Sequence, residues 1–279
     1  MSTQGICLSF VLFLTGAWIS HAQSANTLIS ARGLGLANAT ATLADEWSLL
    51  NNTGGLSKLK TTSAAVAYEA KPNLLGANRM AAVVALPTKI GTAGLGVFRF
   101  GDNLYSEQIL SAGFGNTFGN TSIGLKVNYI QYTITGFGTK TAISLNFGGI
   151  TQLTPAIAIG AYIVNLNRPT LSTIDGEKLP TRLVAGVSFK ASEVVSLFTE
   201  IDKDIDYRPT IKGAVEYKLH KKVVARTGVN LQPEAAFFGL GFVSSPLKID
   251  YAMQYNQNLN AAFQVSVIYT FIKQPKPKQ

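Results

Sequence analysis

Cysteine is almost missing from this chain of 279 residues, and Cys7 is the only one. It opens an apolar run over residues 6–19 that ends in Ser20, His21 and Ala22, a small-residue cleavage pattern. Residues 1–22 are therefore expected to be a signal peptide, although no Lys or Arg precedes the run. The exported chain would hold no disulfide, no thiolate metal site and no cysteine nucleophile, so backbone pairing and packing must stabilise it.

Histidine is nearly as scarce. His220 lies beside Lys221 and Lys222 in an expected tight turn, and the other histidine, His21, falls in the leader. No pair is available to hold a metal, and no wall-mounted base is available for a hydrolytic triad. The chain is expected to be no enzyme and to need no cofactor. Charged residues make up only 14% against 47% hydrophobic ones, yet beyond the leader no apolar run is long enough for a membrane-spanning helix. The formal charge of +9 rests on lysines scattered over turns and the tail, so nucleic acid is not an expected partner.

What is present is alternation. Over residues 62–271 the chain divides into roughly fourteen segments of period-two character, separated by short Gly, Pro, Asn, Asp or Lys turns. Leu247, Ile249, Tyr251, Met253 and Tyr255 share one face, and Lys248, Asp250, Ala252 and Gln254 share the other. Such a wall separates lipid from water, and in hydrocarbon strands can cross only as a closed barrel, because every backbone polar group must be paired. The expected fold is all-β, a transmembrane antiparallel barrel of about 14 strands over residues 61–272, with residues 23–60 as a partly helical plug in the lumen. A helical stretch is expected near residues 39–50, and residues 273–279 read as a basic Pro/Lys tail on the periplasmic side.

The same parity turns Glu200, Lys212, Glu216, Arg226 and Asp250 inward from consecutive late strands, as a lumen charge network of both signs. Glu200, Asp202, Asp204 and Asp206, interleaved with Lys203, read as a polar strand edge at the rim rather than as a calcium site.

The plug carries a resemblance. Ala31-Arg32-Gly33-Leu34-Gly35, then Asp45-Glu46-Trp47, then Asn51-Asn52-Thr53-Gly54-Gly55-Leu56 resembles the N-terminal segment of FadL-like and PorV/PorQ-like outer-membrane proteins. Thr53 and Gly54 stand where that superfamily has Pro-Ala. The resemblance implies a fourteen-stranded barrel whose plug or hatch motif is Arg32, Gly33, Gly35, Asp45, Glu46, Asn52, Gly54 and Gly55. It also implies an outer membrane of a Gram-negative-type cell, with outer-membrane lipid as surroundings. Two functions follow from it. The short loops favour a non-catalytic accessory barrel of PorV/PorQ type, working in a larger outer-membrane protein complex in type IX-like secretion or surface assembly. The alternative is a FadL-like passive transporter with a small hydrophobic ligand.

Overall fold

The computed structural model describes residues 27–74, 76–170, 178–257 and 260–271. The expected signal peptide and the basic tail lie outside them.

Fourteen strands follow the plug segment. They are β1 (Ser63–Ala70), β2 (Arg79–Thr88), β3 (Gly91–Gly101), β4 (Tyr105–Phe118), β5 (Thr121–Ile134), β6 (Gly138–Gln152) and β7 (Ile157–Val164). The second half is β8 (Arg182–Lys190), β9 (Val195–Asp204), β10 (Thr210–His220), β11 (Val223–Leu231), β12 (Glu234–Ser244), β13 (Leu247–Asn256) and β14 (Asn260–Thr270). Each strand pairs antiparallel with its sequence neighbours. The sheet closes where β1 meets β14, from Ser63 opposite Thr270 to Ala70 opposite Phe263. Closure leaves no unpaired edge, which is what a sheet immersed in hydrocarbon requires.

Period-two alternation decides which way each side chain points. On β13, Leu247, Ile249, Tyr251 and Tyr255 are exposed on the outside, while Asp250, Ala252 and Asn256 are buried within. On β5, Leu125, Val127 and Tyr129 face out and Lys126, Asn128 and Ile130 face in. The outer wall is apolar and the lumen polar, the arrangement of a lipid-embedded barrel. One end carries the two- to four-residue turns after β2, β4, β6, β8, β10 and β12, and the chain enters and leaves the barrel there. The other end carries the connections after β1, β3, β5, β7, β9, β11 and β13, which range from two residues after β11 to the longest, between Val164 and Arg182. These are termed the turn end and the loop end.

Residues 27–62 run through the lumen, but not as the helix expected near residues 39–50. The helical elements are the five-residue α1 (Ala31–Gly35) and two short 3-10 turns, Glu46–Leu49 and Thr53–Lys58. Asp45 starts the first 3-10 turn by accepting the Trp47 amide at 3.1 Å, and Ser48 Oγ accepts the Asp45 amide in return. A regular helix with side chains is about 10–12 Å across. Here the plug backbone lies directly against the inner wall, and only short, tight turns permit that approach.

Candidate functional site

The lumen has two parts of opposite character. The turn-end part is a seal. Trp47, Leu49 and Leu56 are fully buried and pack in one cluster with Val83 and Phe98 of the wall. The wall makes room with glycine: a Cβ at Gly160 on β7 would overlap the carbonyl of Ala41, and one at Gly124 on β5 would overlap the backbone of Thr53. The plug contributes its own close approaches. A Cβ at Gly54 would lie 2.8 Å from the Cα of Gly149, one at Gly35 would lie 3.1 Å from the Cα of Gly239, and one at Gly55 would lie 2.5 Å from the carbonyl oxygen of Leu43.

Hydrogen bonds fix the same contacts. Asn52 donates from Nδ2 to the carbonyls of Ala41 at 2.6 Å and Gly149 at 2.9 Å, and its Oδ1 accepts the Gly54 amide at 3.2 Å. The Gly33 amide donates to Ser30 Oγ at 3.0 Å, which caps α1.

Two ion networks tie the plug to the late strands. In the first, Arg32 donates to both carboxylate oxygens of Glu216, each at 3.1 Å, and to Asp45 at 3.2 Å. Arg226 reaches the same Glu216 at 2.7 Å and Asp250 at 2.5 Å. In the second, Lys212 Nζ contacts Glu200 at 2.6 Å, Asp202 at 3.1 Å and the carbonyl of Asn38 at 3.2 Å, while Glu200 accepts the Ala41 amide at 2.7 Å. The structure thus places Glu216, Arg226 and Asp250 in one network with Arg32 and Asp45, and Glu200 and Lys212 in a second against the plug backbone. Glu46 is buried nearby, and its Oε2 has no hydrogen-bond partner.

Two features of the seal escaped the sequence reading. One is the set of inward glycines, for which the Gly94-Leu95-Gly96 and Gly113-Phe114-Gly115 spacings were an available signal: the period places both glycines of each pair on the inner face. The other is Lys126, buried on β5 with Nζ donating to the carbonyl of Leu50 at 3.2 Å.

The loop-end part is hollow. A vestibule of about 580 Å³ lies above the plug. Ile109, Ile130, Val164, Pro180 and Pro233 supply apolar walls, and Asn128, Asn165, Arg182 and Asp202 supply polar ones. Two of its charges cancel, since Arg182 is ion-paired with Asp202, and Asp204 and Arg208 also line the space. Asn128 Oδ1 is likewise satisfied by Ser111 Oγ at 2.8 Å. Residues 178–181, just before β8, turn into the barrel here. Asn165 Nδ2 donates to the carbonyl of Pro180 at 2.7 Å, Thr181 Oγ1 donates to the carbonyl of Asn165 at 3.0 Å, and Leu179 is driven into the core beside Ile29.

No family model matches the chain, and no curated protein matches it in sequence. Solved structures do match. A monoaromatic hydrocarbon channel, CymD, superposes with a TM-score of 0.70 at 12% identity, covering 89% of this chain and 99% of that one. The toluene transporter TodX of P. putida gives 0.62 at 11% identity, over 84% and 96% of the two chains. A FadL homologue of Pseudomonas aeruginosa gives 0.61 at 13% identity, over 88% and 98%. The fold is that of the FadL-type barrels.

These likenesses correct the expectation of an accessory barrel of PorV/PorQ type in type IX-like secretion. Barrels that share this architecture include a monoaromatic hydrocarbon channel and toluene transporters, and the larger membrane complex expected with the accessory role is left without support. Short loops do not decide between the two roles, because the vestibule is walled by the inner faces of the strands and by residues just before β8 rather than by chain above the membrane.

Proposed function

We propose that this protein is a passive outer-membrane channel for small, uncharged hydrophobic compounds, which enter at the loop end and are held in the vestibule. The observation that carries this reading is the vestibule itself. It is a cavity of about 580 Å³ within the size range of small-molecule sites, walled by Ile109, Ile130, Val164, Pro180 and Pro233 with polar groups at its loop-end rim, of which Arg182 and Asp202 pair with each other. The sharing of this fold with channels and transporters for monoaromatic hydrocarbons supports the same substrate class. With short turns assigned to the periplasm, as is usual for such barrels, the vestibule opens outward. Because the plug fills the turn end, passage requires it to shift. No catalytic step is assigned to any residue.

The test is uptake of radiolabelled toluene by cells expressing the protein, beside cells expressing Val164→Phe, which narrows the vestibule. Faster uptake with the native chain than with empty vector, lost in the variant while the barrel still folds, is the expected result. Equal uptake in all three strains would overturn the reading.

A further inference from the structure

Three polar side chains stand on the wrong side of the wall. Arg99 on β3, Gln108 on β4 and Gln131 on β5 all point away from the lumen, and register sets them side by side: Arg99 opposite Gln108, and Gln108 opposite Gln131. Among the described strand residues, the outward positions carry only one other cation, Lys203, whose Nζ donates to the carbonyl of Tyr207. Among the described residues, Arg99, Gln108 and Gln131 have no side-chain hydrogen bond or ion pair.

Beside this row the outer wall is hollowed. A groove of about 600 Å³ lies where the small Ala82 is flanked by Val66, Met80, Val97, Leu110 and Tyr129. Its floor is apolar, and Arg99, Gln108 and Gln131 line its border. Arg99 lies two residues from the loop end of β3, so that border faces the outer leaflet if the loop end is extracellular.

An unpaired guanidinium on the lipid face is costly near the bilayer midplane and tolerable near the interface. It becomes favourable where an anion meets it, and a planar guanidinium matches phosphate oxygens two at a time. Two adjacent amides add donors for the remaining oxygens. An acyl chain fits the apolar floor, and a phosphorylated head fits the polar border. We propose that β2 to β5 form a binding site on the outer wall for a phosphorylated, acylated lipid of the outer leaflet, its acyl chain over Ala82 and its phosphate on Arg99. The site rests on the chain spanning an outer membrane, and does not depend on transport through the lumen.

The test uses the full-length barrel, reconstituted in zwitterionic lipid nanodiscs and titrated with lipid A or with its dephosphorylated form, bound lipid being read by native mass spectrometry. The native chain is expected to bind lipid A at one saturable site and to bind the dephosphorylated form at least tenfold more weakly. Arg99→Ala is expected to abolish that phosphate preference. Ala82→Phe, which fills the groove while leaving the cation in place, is expected to weaken both lipids together. Resistance of the folded band to heating on gels checks that each variant keeps its barrel, and toluene uptake should remain at the native level in both. Equal binding of the two lipids by the native chain, or a preference that survives Arg99→Ala, would overturn the proposal.

Discussion

The two halves of the lumen are built from the same strands and the same alternation, yet one is filled and the other empty. At the turn end, inward glycines let the plug backbone touch the wall, and carboxylates and cations from plug and wall satisfy one another. At the loop end the inward positions are Ile109, Asn128, Ile130 and Val164, side chains large enough to hold other chain segments away. The difference teaches that a plugged barrel is sealed by what its wall leaves out. Polarity alone does not distinguish the halves, since both contain arginine–aspartate pairs; backbone approach does.

The harshest way to break this contrast is to give the seal a side chain. Gly160→Val would overlap the Ala41 carbonyl, and the plug is expected to leave the wall or the barrel to fail to form. Proteolysis at the plug and the heat resistance of the folded band would report it, and a native pattern of both would sink the glycine argument.

Next in size is Arg226→Ala, which leaves Glu216 and Asp250 short of a buried partner. Losing one member of such a network costs about 3–5 kcal/mol. Trp47 lies buried in the seal and is the only tryptophan after the expected leader, so its fluorescence during urea unfolding follows the plug directly.

Ile130→Ala sharpens the comparison from the other side. Removing a buried isoleucine costs about 2–5 kcal/mol, with the lower figure expected where, as here, the side chain borders a cavity. The vestibule should widen, so bulkier aromatic compounds should gain uptake relative to toluene while Trp47 fluorescence stays native.

The smallest effect is expected at the rim. Hydrogen bonds from the Tyr105 and Leu104 amides hold the Asp102 carboxyl below the usual carboxylate range. A depressed pKa contributes order that is present above the usual range and is lost as pH falls through the folded value. Asp102→Ala should speed amide exchange at Leu104 and Tyr105 near neutral pH without moving Tm, and exchange unchanged there would remove Asp102 as the organiser of that connection.

Much of the wall was legible beforehand. The alternation of Leu247 to Tyr255 with Lys248 to Gln254 states which residues meet lipid, because a strand offers only two faces. The cross-strand pairing of Glu216 with Arg226 was within reach as well, since a two-residue turn joins their strands. Arg32 was not: its partner Glu216 is 184 residues away, and nothing local to either residue names the other. Residues 39–50 read as a helix from their apolar content, but propensity is a weak influence beside contact with a wall. The accessory reading failed for a related reason, because loop length says nothing about a cavity formed inside the strands.

By itself, then, the amino-acid sequence determined the strand periodicity, the inward and outward faces and the closed barrel, since period-two patterning and the need to pair every backbone group in lipid are local requirements. Only the tertiary structure decided where the plug lies, which glycines it touches and that a vestibule remains above it. Those depend on strands from opposite sides of the closed barrel meeting one short segment, and on how closely two backbones can approach when no Cβ lies between them.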